Sequence, residues 1–380
     1  MKNYLLILSF FTFFISQAQL SNKHWLPPLH ARDESTIQDH YVYLSTAETT
    51  PFQITITTGN GIPIPGSPFT ISQTNPVEVN IGNGQPTDMF LDVTDVNVVK
   101  SDKGLILEGT KDFYVSFRMR HQNHAETLIS KGRPGIGNRF RLGHMINETS
   151  DSRTSFVASV MATENNTTLT LSDYNTNVVF TSGSGDITAD SQSFILNAWQ
   201  SIVFSGYSSL GANLDGALGA LIESSKPVAV NSGNILGGIE YGRADICLDQ
   251  IVSSSQIGDE YIFIEGNGTP EMELPLIIAD QDNTEVFVNG NPIASTTLNA
   301  GDYYFVPNSQ YQGTINRNIY VKTSKPVFSY QLIGGLPDTA TSGLNFIPPL
   351  SCFFQESVYL PSIDEIGNAN YNSDLMMLTY

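Results

Sequence analysis

An internal repeat is the feature of this sequence that most restricts how the chain can fold. The stretch ESSKPVAVNSGN at residues 223–234 recurs as VKTSKPVFSYQL at 321–332, and a looser copy, EGTKDFYVSFRM, occupies 108–119. Each copy carries a lysine at the same place, namely Lys111, Lys226 and Lys325. Repetition of this kind indicates one supersecondary unit built several times, so we expect at least three similar units.

A second motif precedes the lysine motif in each repeat unit. It consists of an apolar run, a polar turn and then a run that alternates between apolar and polar residues. Its three versions are STAETTPFQITI at 45–56, MATENNTTLTL at 161–171 and IADQDNTEVFV at 278–288. From Ala47 to Lys111 is 64 residues, and from Ala162 to Lys226 is again 64. The third interval is 46 residues, and most of the shortening falls where the second unit has the loop TSGSGDITADSQS. Surface loops of this composition tolerate length changes, so the repeat is a constant strand core with variable loops.

The residue patterns predict an all-β fold. Short apolar or alternating runs bounded by Gly, Asn, Asp and Pro recur every 8 to 12 residues, whereas a helical period longer than two turns is absent from the sequence after its first residues. Antiparallel units of about 100 residues and seven strands fit either tandem β-sandwiches or pairs of propeller blades. Consecutive hairpins favour a β-propeller-like arrangement, and the sandwich alternative remains open. The lysine motif is interpreted as a corner where one strand stops and its partner begins.

The predicted organisation is a signal peptide at 1–18, β units at 19–142, 143–249 and 250–347, and the start of a truncated fourth unit at 348–380. Lys2, an apolar core and the small-residue pattern SQA fit a signal peptide for export. No later run of the sequence has the length of a membrane span. The segment IPPLSCFFQESVYLPS echoes an earlier stretch, LPPLHARDESTIQDHYVYLS, which suggests that a further unit begins there.

Charge restricts the class of partner. Without Lys2 the chain has 17 basic and 37 acidic side chains. Nucleic-acid binding needs a basic surface, so we expect no nucleic-acid partner. The two cysteines, Cys247 and Cys352, are too few for a disulfide framework. They could form one bridge in an oxidising compartment, and the sequence neither requires nor excludes it.

Several longer motifs resemble a known family. They are WLPPLHAR, DHYVYLS, SDKGLILEG, KDFYVSFR, QNHAE, SKGRPG, FVASVMATENNTTLTL and GLNFIPPLSCFFQ. The chain resembles the IgGFc-binding-protein N-terminal-type region of secreted proteins from flavobacteria and their relatives in the Bacteroidetes. The resemblance implies a large exported surface protein, often with a gliding-motility-associated or type IX sorting domain at its far end. It assigns immunoglobulin binding to no residue of this chain.

Two clusters of residue types are candidate binding sites. Asp280, Asp282 and Glu285 lie close together in ADQDNTE and could offer oxygen ligands to Ca²⁺, although the loop lacks the length and glycine of an EF-hand. A basic cluster could receive an acidic glycan or an acidic neighbouring unit. Its residues in this hypothesis are Arg118, Arg120, His121, His124, Arg139 and Arg141.

The sequence contains no GxSxG, HExxH or phosphate-loop motif at a strand-to-helix junction, so we expect no enzyme activity. The leading hypothesis is a secreted or cell-surface adhesion or structural repeat protein that binds glycan or protein ligands. One alternative is a carbohydrate-binding module for polysaccharide capture, which would use exposed aromatics. Its candidate residues are Tyr303, Tyr304, Tyr311, Tyr320 and Tyr330. The other alternative is a secreted hydrolase with an unrecognised site.

Overall fold

The structure is a computed structural model, and its description covers most of the chain after the predicted signal peptide. The described residues are 19–31, 37–121, 124–147, 153–238, 244–334, 342–352, 358–373, 375 and 377–378. The signal-peptide prediction, residues 1–18, lies outside them. Within them almost every regular element is a β-strand and the three large sheets are antiparallel, which confirms the all-β prediction.

Three seven-stranded sheets dominate the described part of the chain. The strands of each sheet come from one stretch of the sequence. The first unit contains β1 (Ser21–Leu26), β3 (Gln38–Ser45), β4 (Phe52–Thr58), β5 (Phe69–Ile71), β6 (Val77–Gly82), β8 (Leu105–His121) and β9 (His124–Ile129), with a small parallel pair, β2 (Leu29–His30) and β7 (Phe90–Leu91), beside it. A one-turn helix, α1 (Gly132–Gly135), leads out of this unit.

The second and third units repeat the same plan. The second contains β10 (Gly137–Arg141), β11 (Ser155–Ala162), β12 (Thr167–Ser172), β13 (Gln192–Leu196), β14 (Ser201–Tyr207), β15 (Leu221–Gly237) and β16 (Asp245–Ile251). The third contains β17 (Gly258–Ile264), β18 (Leu274–Ala279), β19 (Thr284–Val288), β20 (Thr296–Leu298), β21 (Tyr303–Phe305), β22 (Asn318–Ile333) and β23 (Gly343–Phe346). The boundary between the first two sheets differs from the predicted unit boundary at residue 142. β10 lies before this residue but pairs in the second sheet.

One long strand in each unit belongs to two smaller sheets. The first half of β8 pairs with β1 and β4, and its second half pairs with β3 and β9. Side chains from both halves, such as Leu107 and Phe117, enter one apolar core. This order is not a run of consecutive hairpins, and each sheet is nearly closed like a barrel, so the propeller preference is not confirmed.

The prediction that the lysine motif ends a strand is wrong. Lys111, Lys226 and Lys325 lie inside β8, β15 and β22, where the strand passes from one small sheet to the other. The register of the neighbouring first strand shifts at this bend, as expected of a bulge. The motif therefore bends one continuous strand instead of joining two.

The lysines also connect the two repeated sequence motifs. Lys111 Nζ lies 2.7 Å from the Glu48 carboxylate, in the polar turn of the second motif. In the later units Lys226 donates to the carbonyl of Asn165, and Lys325 donates to that of Asp282. Because these turns are far from the lysines in sequence, only the folded unit brings them together.

Apolar cores run across the boundaries between units. In β11, Phe156 and Ala158 face the core of their own unit, whereas Val157 packs with the core of the first unit. In β18, Leu276 packs with the second unit's core and Ile277 with that of the third. Burial of both faces stabilises the packing between units, so we describe them as one continuous scaffold.

Within its described residues, the predicted fourth unit contains one two-stranded sheet and no seven-stranded sheet. A short hairpin, β24 (Glu365–Ile366) and β25 (Ala369–Asn370), packs on Tyr41 and Tyr43 of the first unit through Ile366. The chain end thus covers the outer face of β3.

A candidate binding cleft between the second and third units

A cleft of about 450 Å³ opens where loops of the second and third units meet. The second unit contributes the loop before β15, and the third contributes the turn between β20 and β21. The lining residues are Asn175, Asp215, Gly216, Leu218, Leu298, Gly301, Asp302 and Tyr303. The cleft lies on a seam between two units, a common position for a binding site.

The cleft is lined by a glycine at the repeat position where the second unit has a tryptophan. Trp199 and Gly301 hold equivalent positions, since the N–H of Trp199 donates to Ala162 and the N–H of Gly301 donates to Ala279. The two alanines are themselves equivalent in the repeat. At the boundary of the first and second units the indole of Trp199 packs beside Gly61. At the next boundary Gly301 has no side chain, and the position of its missing Cβ faces the Arg141 guanidinium at 3.2 Å and the Gly219 carbonyl oxygen at 3.6 Å.

Close backbone contact fixes the edge of the cleft. A Cβ on Gly219 would lie 1.9 Å from the carbonyl oxygen of Gly301, and the φ of Gly219 is +76°. A residue with a side chain fits neither the space nor the left-handed backbone. The two loops are therefore held together by main-chain contact that requires glycine.

Two arginines of β10 bind the third unit beside this edge. Arg139 donates from Nε to Asp280 Oδ1 at 2.9 Å, and Arg141 Nε is 3.3 Å from the same oxygen. Arg141, only 1% exposed, also donates to the carbonyl of Gly219 at 2.9 Å and to Asp173. Such charge-assisted bonds join the strand, the cleft loop and the third unit in one network.

The cleft combines carboxylates with an apolar floor. Asp215 and Asp302 are exposed, whereas Leu218 and Leu298 are 5% exposed each. The hydroxyl of Tyr303 donates to Asp215 Oδ2 at 3.2 Å. Burial, reinforced by the Asp215 carboxylate, raises the pKa of Tyr303 to about 12, so the phenol stays a neutral donor. The site can accept hydrogen bonds from hydroxyl, ammonium or guanidinium groups over an apolar surface.

The structure does not bring the predicted basic cluster together as an open cationic surface. Arg118 is 5% exposed and donates to the carbonyls of Pro361, Ser362 and Glu365. Arg120 forms an ion pair with Asp39.

The other members of that cluster also face protein groups. His124 Nδ1 lies 3.2 Å from Asp245 Oδ1, and the rings of His121 and His124 stack with centroids 5.9 Å apart. Arg139 and Arg141 bind Asp280 as described above. Because the guanidinium groups already have protein partners, the geometry gives the acidic-glycan hypothesis no support at these residues.

The carboxylates suggested for calcium serve different purposes. Asp280 accepts from the two arginines, and Asp282 Oδ1 accepts from the N–H of Ala300 at 3.0 Å. Glu285 is exposed and its N–H is bonded to Ser324. Within the described residues no group of three or more His, Cys, Asp or Glu side chains could hold a metal ion.

The suggested cysteine bridge is not formed by Cys247. Its thiol is free, fully buried and directed at the carbonyls of Asp245 and Gly237. Burial raises its pKa well above the usual value, with Asp245 and Glu126 adding to the effect. The side chain of Cys352 lies outside the part that the structure describes.

The tyrosines considered for carbohydrate capture divide into two groups. Tyr311 and Tyr330 are buried, at 5% and 0% exposure, and the hydroxyl of Tyr330 donates to the carbonyl of Arg141 at 2.7 Å. Tyr303, Tyr304 and Tyr320 are partly exposed. Among them Tyr303 lines the cleft.

A family model described as IgGFc binding protein matches residues 125–374, about two thirds of the chain. The chain belongs to this family. The match confirms the family resemblance seen in the motifs, and it supports a binding function for this IgGFc-binding family member. A comparison with curated proteins finds no match. Across the described residues, no helix is both long and apolar enough to span a membrane.

Sequence reasoning missed Asp215, Asp302 and the cleft itself. A signal was present, because the repeated motif reads LNAWQ in the second unit and LNAGD in the third. The replacement of a large aromatic residue by glycine at one repeat position indicates that the two boundaries between units pack differently. Its meaning depends on which loop lies opposite, and the sequence does not contain that information.

Proposed function

We propose that this IgGFc-binding family member is a non-enzymatic, secreted or cell-surface adhesion protein whose cleft between the second and third units binds an extracellular ligand. The observation that carries the proposal is the exposed pair Asp215 and Asp302 beside Tyr303, at a position where the preceding unit boundary is filled by Trp199. Family membership supports a binding role, and the continuous scaffold supports a site of fixed shape.

A protein ligand with a basic side chain suits this cleft best. Two carboxylates attract a lysine or arginine, and the leucine floor accepts its aliphatic stem. The acidic chain would also attract a basic partner over a longer range.

A neutral glycan is the second candidate. Asn175, Asp302 and the ring of Tyr303 supply acceptors and an aromatic surface, the groups that hydroxyl-rich rings require. Capture of polysaccharide would then be the biological role.

The test is a binding array of glycans and extracellular proteins, probed with residues 19–380. We expect a selective ligand whose affinity falls at least about tenfold in the double variant D215N/D302N, since two charge-assisted bonds are lost. The matched control is D186N, which removes one exposed charge outside the cleft. Equal binding by wild type and the double variant would exclude the cleft as the site. Recovery of a cleaved ligand would instead favour the hydrolase alternative.

A further inference from the structure

A buried lysine and a buried aspartate meet at the seam between the first and second units. Lys131 Nζ lies 2.8 Å from Asp249 Oδ2, and the two side chains are 5% and 7% exposed. Lys131 follows β9, the last strand of the first unit, and Asp249 lies in β16, the last strand of the second. The pair therefore joins two units through residues 118 positions apart.

The surrounding backbone holds both groups in place. The N–H of Lys131 donates to Gln250 Oε1 at 2.7 Å, which fixes the start of the lysine side chain. Asp249 Oδ1 accepts from the N–H groups of Ile129 and Gln250 at 3.2 and 2.8 Å. Asp249 Oδ2 accepts from Lys131 and from the N–H of Phe346 at 3.2 Å. The amine and the carboxyl carbon are thus kept close, with fixed donors on both oxygens.

This environment favours the uncharged form of the Asp249 carboxyl. Removing a carboxylate from water is costly, so burial favours its protonated form. Burial raises the pKa of the Asp249 carboxyl, in spite of the opposing effect of Lys131. A neutral amine is the nucleophilic form of lysine, and a protonated carboxyl has a better leaving group than a carboxylate.

A third buried carboxyl lies in the same region. Glu126 lies in β9 and accepts from the N–H of Leu248, the neighbour of Asp249 in β16, at 3.4 Å. Burial raises the pKa of Glu126 well above its usual value, and the nearby carboxylates of Asp245 and Asp249 raise it further. The region around Asp249 therefore disfavours additional negative charge.

We propose that the side chains of Lys131 and Asp249 condense into an intramolecular amide that links the first and second units covalently. The lone pair of Nζ attacks Cγ of the protonated Asp249, and the new oxyanion on Oδ1 is stabilised by the N–H groups of Ile129 and Gln250. Nζ then gives a proton to Oδ2 along the 2.8 Å hydrogen bond between these atoms. The bond from Cγ to Oδ2 then breaks, one water molecule leaves, and an amide remains without any oxidant or cofactor.

The link would give the scaffold mechanical continuity. It closes a covalent loop across the seam, so separation of the two units would require breaking a bond instead of local unfolding. An extracellular adhesion protein exposed to force or proteases would benefit from such a link. The inference is independent of the ligand cleft, which lies at the other boundary between units.

Intact mass under denaturing conditions tests the proposal on residues 19–380. We expect the purified protein to weigh about 18 Da less than its sequence, the mass of one water. The variants K131R and D249A should have their full sequence masses, and a protease digest of wild type should contain the peptides of Lys131 and Asp249 joined together.

A surface ion pair supplies the matched control. Lys23 Nζ lies 2.9 Å from Glu108 Oε2, where Glu108 is 58% exposed, so K23R should leave the mass deficit unchanged. K131R keeps the positive charge beside Asp249, and circular dichroism would show that it folds. A folded wild-type protein with its full sequence mass would overturn the proposal and leave Lys131 and Asp249 as an ordinary buried ion pair. A deficit that persists in K131R would overturn it as well.

Discussion

The guanidinium of Arg118 lies 3.8 Å from the centroid of the Tyr43 ring, beneath the hairpin at the chain end. From there Arg118 donates to carbonyls of residues 361–365, while the Tyr43 hydroxyl accepts from the N–H of Gly367 at 2.9 Å. An arginine that the sequence suggests as a glycan ligand thus holds the chain's own end on the first unit. A buried cation needs such partners, because it has lost its contact with water.

R118A should loosen this hairpin. Loss of three charge-assisted bonds and of the contact with Tyr43 should lower the free energy of unfolding by about 2–4 kcal/mol. Limited proteolysis should release residues near 358–373 faster than in wild type. R133A is the control, since Arg133 is exposed and its Nε bonds to Asn22; it should cost about 0.5 kcal/mol. Equal proteolysis of both variants would show that Arg118 does not hold the hairpin.

G219A should destabilise the seam beside the cleft. The new methyl group would overlap the Gly301 carbonyl and would force a left-handed φ on alanine, so we expect a loss of about 3 kcal/mol. Gly290 has a similar φ of +71° but open space around its Cβ position. G290A should therefore cost only about 1 kcal/mol, from backbone strain alone. Chemical denaturation measures both values, and equal losses would contradict the close approach of the two loops.

Stability should fall as the pH drops from 6.5 to about 4 because of buried histidines. Burial lowers the pKa of His24 from 6.5 to about 4, and Nε2 lies 3.0 Å from the Phe113 carbonyl. A lowered folded-state pKa means that the unfolded chain binds the proton first, so the stabilisation holds above pH 6.5 and is lost towards pH 4.

The variant H24Q isolates this contribution. At about 1.4 kcal/mol per pKa unit, His24 accounts for up to about 3 kcal/mol of the pH dependence. The free energy of unfolding of H24Q, followed by denaturant titration at several pH values, should vary less steeply with pH than that of wild type. An unchanged slope would show that His24 is accessible to protons in the folded state. H121Q is the comparison, since His121 is partly exposed.

Cys247 should resist thiol reagents until the protein unfolds. Burial prevents access and raises the thiol pKa, so the reactive thiolate is scarce. In a C352S variant, iodoacetamide should leave the native protein unlabelled and should add one group in denaturant, as mass spectrometry would show. Labelling at equal rates in both conditions would mean that the region around β16 opens readily.

The sequence predicted the repeat and its strands because both depend on local patterns. The alternating residues that end the second motif correspond to β4, β12 and β19, and the two strands expected on either side of Lys325 proved to be one, β22. The prediction at Lys325 was wrong because a proline beside polar residues is found both in turns between strands and in bends within one strand. Local chemistry signals a change of direction, whereas pairing on both sides decides whether the strand continues.

What the sequence determined by itself is the all-β character, the three-fold repetition and the family, since alternation and long motifs are written along the chain. The tertiary structure decided which residues meet. Arg118 and Arg139 are near one another in sequence but bind the chain end and Asp280 respectively, and Asp215 meets Tyr303 across 88 positions. Side-chain contacts between distant residues follow from strand pairing and from packing between units. No local sequence pattern specifies either of these.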